Sequence, residues 1–192
     1  RGLGGVYPRL MRIGLACLAS VLLLALLPAA PLLADEIISD DASASVQVTG
    51  NWMTSTTSPG FFGTGYRFRV AGDGSSSVRW PLPSSLAAGS YEVFARWPSG
   101  ENRASNATYV VTHASGTTSV VVDQRSNGGV WRSLGTFTFA TGAPSQGVSL
   151  SDKANGVVVA DAIRWAPAGA AVAPSAVVSA SADARYFVET GY

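Results

Sequence analysis

The sequence predicts an all-β protein, an antiparallel β-sandwich of jelly-roll type with about nine strands. From Ile37 to Trp165, short apolar or alternating runs are separated by Gly, Ser, Asn and Pro at a spacing of roughly 8–12 residues, as in a sandwich or barrel. No part of that span repeats its apolar residues at the helical period. Charged residues are only 13% of the chain, while 47% are apolar, including five Trp and seven Phe. Such a composition supplies a real core beneath a Ser-, Thr- and Gly-rich surface of extracellular type, and it excludes a chain that is disordered throughout.

The elements follow in order. Arg1, Arg9 and Arg12 precede an uncharged run from Ile13 to Leu33 that closes with "PLLADE", the layout of an export signal cleaved after Ala34. Met11 reads as the start, with residues 1–10 as upstream sequence. The run is also long enough to span a bilayer, so membrane contact arises only through this segment if it stays uncleaved. Cleavage removes Cys17, the single cysteine, and with it any disulfide or thiol nucleophile. It also removes three of the 13 basic residues, leaving ten against 12 acidic ones and no basic stripe for nucleic acid.

Expected strands lie at 45–48, 66–70, 77–82, 90–97, 108–113, 119–124, 133–139, 147–150 and 157–165. In "SYEVFARW", Tyr91, Val93, Ala95 and Trp97 share one face and Glu92, Phe94 and Arg96 the other, so both faces are at least partly covered. In "VVVADAIRW", Val157, Val159, Ile163 and Trp165 share a face with Asp161, a carboxylate that needs a partner there. Arg96 or Arg103 is the expected partner, which makes Asp161 a structural buried charge.

"GGVWRSLGTFTF" at 128–139 holds a phase conflict. Phe137 and Phe139 share a face; counting back by twos adds Trp131 to it but leaves Leu134 on the polar side. A β-bulge at Gly135 would reverse the phase, bringing Leu134 into the core and turning Trp131 outward. Without the bulge, Trp131 is core.

After Trp165 the chain turns to Ala, Pro, Ser and Val, read as a linker over 167–183. The domain proper is 35–166, and "RYFVETGY" at 185–192 reads as the truncated start of a further, covalently attached domain.

Several motifs together carry a family resemblance: "TGNW" at 49–52, "SPGFFG" at 58–63, "YR" at 66–67, "AGSYEVFARWP" at 88–98, "NRASNATYVV" at 102–111, "DQRSNGGVWRSLGTFTF" at 123–139 and "VVVADAIRW" at 157–165. In order and spacing, the segment 37–165 resembles the golvesin/xanthan-lyase type carbohydrate-binding-like domain. The resemblance implies a secreted bacterial accessory module that binds polysaccharide or cell-wall glycan, with Trp131 in the place of a loop-mounted platform tryptophan. Phe61 and Phe62 stand where that pattern has tyrosines. The residues 184–192 are similar to the opening of an LGFP-like cell-wall repeat.

Sugar binding on a shallow β-sandwich surface uses aromatic faces against pyranose C–H groups, with amides and charged groups reading hydroxyls. Three loops offer this: Gln124, Asn127 and Trp131; Phe61, Phe62 and Tyr66; Trp97, Glu101, Asn102 and Arg103. The expected ligand residues are Trp131, Tyr66, Phe62, Asn127, Asn102, Arg103 and Gln124. The competing reading is a spacer or adhesion domain whose aromatic rings are all core.

Catalysis has little to build on. His113 is the sole histidine and the acids Glu92, Asp123, Asp152 and Asp161 are scattered, so neither a histidine-based triad nor a paired-carboxylate cleft is expected. No cofactor is expected; a structural calcium at Asp40 and Asp41 is the one option, and the segment lacks the spaced oxygen ligands of a dedicated calcium loop. "NAT" at 106–108 is a formal glycosylation acceptor.

Overall fold

A computed structural model of the chain describes residues 1–2 and 36–169. Chain contacts divide it into units at Arg1–Leu32 and Leu33–Tyr192, and the fold described here belongs to the second. The expected export segment with Met11 and Cys17, most of the linker, and the residues read as a further domain lie outside the described residues.

Twelve strands and no helix occur among the described residues: β1 (Ile37–Asp40), β2 (Gln47–Thr49), β3 (Met53–Ser55), β4 (Tyr66–Arg69), β5 (Ser77–Pro81), β6 (Gly89–Arg96), β7 (Ala107–His113), β8 (Gly116–Val122), β9 (Arg132–Phe139), β10 (Gly147–Ser151), β11 (Val158–Ala160) and β12 (Ala162–Pro167). A four-stranded sheet has the order β1-β12-β6-β9, a five-stranded sheet β2-β5-β10-β7-β8, and a small sheet β11-β4-β3. Strand pairings are antiparallel throughout, with one isolated parallel bridge between Arg103 and Val157.

The two larger sheets face each other across one hydrophobic cluster. Tyr91, Val93 and Ala95 of β6, with Ile163 and Trp165 of β12, meet Val78 and Trp80 of β5, Tyr109 and Val111 of β7, and Val148 and Leu150 of β10. Trp80, Trp97 and Trp165 are buried. Each such ring removes a large apolar area from water, about 2 kcal/mol or more apiece, which fixes how the sheets face each other.

The sandwich matches the sequence expectation, with two added strands and one division. β1 and β3 have no alternating signature: Ser39 is a polar inward residue of β1, and β3 is an edge strand with little buried surface. The segment expected as one strand at 157–165 divides at Asp161, so β11 joins the small sheet while β12 lies between β1 and β6.

The phase conflict in β9 resolves as a bulge. Val93 of β6 pairs with Gly135, yet Phe94 pairs with Ser133, leaving Leu134 as the extra residue. Gly135 has φ +126, a conformation L residues seldom adopt, and a Cβ there would press on the Phe137 ring at 3.0 Å. Leu134 and Phe139 are buried, and Trp131, just before β9, is half-buried on the outer side.

One buried charge fixes a sandwich corner. Asp152 accepts from Arg69 Nε at 2.8 Å and from the amides of Gly74 at 2.9 Å and Ser76 at 3.4 Å. Burial raises the carboxyl pKa, but these hydrogen bonds and the Arg69 charge outweigh it and hold it below the ordinary aspartate value. A depressed carboxyl stabilises the fold above its unfolded pKa, and that contribution is lost as pH falls through the folded value. Asp152→Asn, which removes the pairing with Arg69, is therefore expected to cost about 3 kcal/mol in urea unfolding at pH 7. The difference should shrink toward pH 3; an unchanged midpoint at pH 7 would show that this corner carries no weight.

Candidate functional site

Two loops meet at the outer face of the four-stranded sheet, and glycines let them do so. A Cβ on Gly60 would stand 2.8 Å from Gly129 Cα, and one on Gly128 would collide with Ser99 N and Trp97 O. Gly129 N donates to Trp97 O at 2.8 Å, which ties the loop to the end of β6. The loop before β9 is thus seated against both the 58–63 loop and the 97–99 segment, and it delivers Trp131 in a fixed place.

Around Trp131 the side chains form an aromatic and cationic surface. The Phe62 ring lies 5.6 Å from the indole at 52°, and the guanidinium carbons of Arg164 and Arg96 lie 5.2 and 5.9 Å from its centroid. Arg164 also stacks over Phe94 at 4.1 Å. Register explains the grouping, since Arg164 faces Phe94 and Ala162 faces Arg96 across the β12–β6 pair. Arg96 is aimed by its Nε, which donates to Gly60 O at 2.9 Å. All five side chains are half-buried.

Of the residues expected to bind ligand, Trp131 and Phe62 come together here; the others do not. Tyr66 is buried at 3% exposure, between Phe61 and Phe68, with its hydroxyl donating to Ser58 Oγ at 3.0 Å. Arg103, 9% exposed, donates to Ser58 Oγ, to Tyr66 Oη and to Asn102 Oδ1. Tyr66 and Arg103 therefore lock loops together, and only Asn102 of that group is exposed. Gln124 is fully buried: it donates to Val159 O at 2.7 Å and Tyr109 Oη at 3.2 Å and accepts from Val159 N at 2.9 Å. Its carboxamide is spent on the β11 backbone and the Tyr109 hydroxyl inside the core, out of reach of a ligand. Asn127 is exposed in a left-handed conformation, φ 55, and lines a separate hollow of about 240 Å³ with Trp97, Val121 and Arg132.

Sequence reasoning did not mark Phe94 and Arg164 as site residues, and it cast Arg96 in another role. Alternation alone places Phe94 and Arg96 outward, but only pairing β6 with β12 puts Arg164 beside them.

Asp161 is buried at 1% exposure where β11 gives way to β12. The expected arginine partners are not its hydrogen-bond donors: both its carboxylate oxygens lie 3.1 Å from Phe62 N, while Arg96 is held by Gly60 and Arg103 by the Tyr66 network. Its close neighbours are acids instead. Asp40, Asp41 and Asp161 each bring a carboxylate oxygen within 4.8 Å of the others. Arg67 Nε pairs with Asp41 at 3.2 Å, and Asp40 Oδ1 is buried without a partner among the described residues. Burial, then the Asp40 charge, pushes Asp41 up to about 7 against the pull of Arg67. Burial, with the two neighbouring acids adding to it and the Phe62 amide opposing it, pushes Asp161 up to about 8. Burial also raises Asp40. Three converging carboxylates are the donor type a hard divalent cation such as calcium takes, so the residues present fit one.

An open cleft of about 480 Å³ lies across the same loop, lined by Asp41, Thr54, Thr56, Thr64 and Arg67, with Tyr66 in its wall.

Residues 36–166 match the family model of the Golvesin C-terminal domain. Xanthan lyase of Bacillus sp. (strain GL1) is 40% identical over 146 residues, covering 74% of this chain and 16% of that protein. The solved structure of Paenibacillus xanthan lyase superposes with TM-score 0.65 at 35% identity, over 69% of this chain and 13% of that one. "CBM35 from Cellvibrio japonicus Abf62" superposes with TM-score 0.48 at 18% identity, over 68% of this chain and 92% of that one. The chain thus spans a small part of the xanthan lyases it matches.

The raised carboxyls make stability depend on pH. In chelator-treated buffer the folded state retains protons that the unfolded chain releases above about pH 4, so thermal stability should fall as pH rises from about 4 to 8. Asp161→Asn should flatten that fall. Millimolar calcium should raise the melting temperature more at pH 8 than at pH 5. Melting curves indifferent to both pH and calcium would show that the cluster neither holds protons nor takes a cation.

Proposed function

The chain belongs to the Golvesin C-terminal domain family through residues 36–166, and from that premise we propose that it is an exported, non-catalytic module that binds glycan. In this reading it holds an attached protein on extracellular polysaccharide or cell-wall glycan. The observation that carries it is the half-buried Trp131, set beside Phe62 on an outer sheet face by loops whose glycines fix their contact. Pyranose rings present apolar C–H faces that stack on aromatic rings, and a platform already in position loses little entropy on binding. Polysaccharide as the ligand class draws support from the relatives named xanthan lyase.

The absence of catalysis draws support from where the reactive groups lie. His113 stacks on Phe137 at 5.1 Å with its Nε2 3.1 Å from Thr118 Oγ1, and Asp123 pairs with Arg125 at 2.7 Å. The three clustered aspartates are packed among one another at the loop base, not set apart across a cleft as sugar hydrolysis requires. Single contacts of this kind are weak, so retention on a polymer would depend on repeated engagement.

The spacer reading draws on Tyr66, Arg103 and Gln124, which all serve the fold. Retention of the chain on insoluble polysaccharides and peptidoglycan separates the two. The parent should be retained on at least one, and Trp131→Ala should lose roughly tenfold or more of that retention, as removal of a central aromatic anchor does. Tyr66→Phe should instead lose about 1 kcal/mol of stability and keep binding. No retention on any glycan would sink the proposal, and equal retention of Trp131→Ala and parent would sink the Trp131 site.

A further inference from the structure

The geometry points to a carboxylate-bearing sugar as the ligand class that the Trp131 surface selects, with Arg96 and Arg164 as the residues that read the acid. This rests on the glycan-binding reading above and adds a specificity to it.

Two cations share one ring. Arg164 and Arg96 occupy diagonal positions on the outer face of β12 and β6, and both guanidinium carbons stand within 6 Å of the Trp131 centroid, at 5.2 and 5.9 Å. Diagonal neighbours across a strand pair stand about 7–8 Å apart at the backbone, so the two like charges repel and an anion seated between them would relieve it. Among the described residues Arg164 has one carboxylate contact, Glu36 Oε2 at 3.3 Å from Nη1, and Glu36 is 53% exposed, so solvent weakens that pairing. Arg164 Nε is buried with no partner among the described residues. Arg96 is anchored through Nε to Gly60 O, a neutral acceptor. Asp161 attracts Arg96 from a distance but does not reach it as an ion pair.

Among the described residues the stacking leaves the terminal nitrogens of Arg96 free, and on Arg164 it leaves Nη2, since Nη1 faces Glu36 and Nε is buried. A guanidinium carries its N–H donors in its plane, so one stacked over an aromatic ring satisfies its faces and keeps its edge for hydrogen bonding. Arg164 lies over both Phe94 and Trp131, and the fixed Nε of Arg96 leaves its two terminal nitrogens without a protein acceptor among the described residues. A planar carboxylate is the acceptor that matches such an edge with two parallel bonds. A uronic acid supplies that carboxylate together with a pyranose face for Trp131, whereas a neutral sugar supplies only the face.

The test is affinity electrophoresis of the full chain through gels holding polygalacturonate or xanthan, each used native and after its carboxyl groups have been activated with a carbodiimide and reduced to alcohols by borohydride. Native polymer should retard the parent at least tenfold more strongly than its reduced form, with the difference shrinking as salt rises. Arg96→Gln and Arg164→Gln should each lose most of that preference, their retardation falling much further on native than on reduced polymer. Arg96→Lys, which keeps the charge but not the fork, should fall between. Urea midpoints report folding, and if Arg164→Gln unfolds, the two Arg96 variants carry the test. Retardation equal on native and reduced polymer overturns the acid preference and leaves the glycan reading standing; retardation on neither overturns both. Variants that lose both forms alike, or a parent retarded as strongly by poly-L-glutamate, also overturn it, because each removes the sugar carboxylate as the group being read.

Discussion

A single extra residue in β9 decides which side of the sandwich Trp131 serves. With Leu134 unpaired against β6, Leu134 and Phe139 both enter the core while Trp131 is turned to the outer face, where Phe62, Arg96 and Arg164 gather on it. The bulge depends on Gly135, whose backbone conformation and proximity to Phe137 both disfavour a side chain. A regular β9 would instead send the indole inward, into a core already filled by Trp80, Trp97 and Trp165.

The bulge alone would leave Trp131 at the mouth of a loose loop. Its neighbours remove that freedom. Gly60 against Gly129 brings two loops into backbone contact, Trp97 O receives one of them, and the Phe62 amide ties the other to Asp161. The platform therefore shares an anchor with the aspartate cluster at the β11–β12 join. What neutralises that cluster, protons or a cation, also bears on how firmly Phe62 is held.

The fold was largely legible in the sequence, because inward rows such as Tyr91, Val93 and Ala95 need no long-range information to be read. β3 was not, since an exposed edge strand carries no alternation, and neither was the division at Asp161, where one continuous run serves two sheets. Trp131 and Phe62 could be named from their glycine-rich loops. Gln124 and Tyr66 are expected as ligand residues because polar and amphipathic side chains beside loops are usually exposed; each is instead buried, Gln124 against the Val159 backbone and Tyr66 under the Arg103 guanidinium that donates to its hydroxyl. Arg164 became part of the site only through the pairing of β12 with β6, and the acidic cluster only through the approach of β1 to the β11–β12 join. Residues joined by strand pairing across 70 positions, as Phe94 and Arg164 are, leave no local mark.

The central claim, that the Trp131 face is where ligand lies, is met most directly by the side-chain indole signals of the five tryptophans in a nitrogen-labelled sample. Titration with uronic-acid oligosaccharides should shift the Trp131 indole resonance strongly while those of the buried Trp80, Trp97 and Trp165 stay in place. A titration that leaves Trp131 unmoved, or that moves only residues lining the Thr54 and Thr64 cleft, would contradict it.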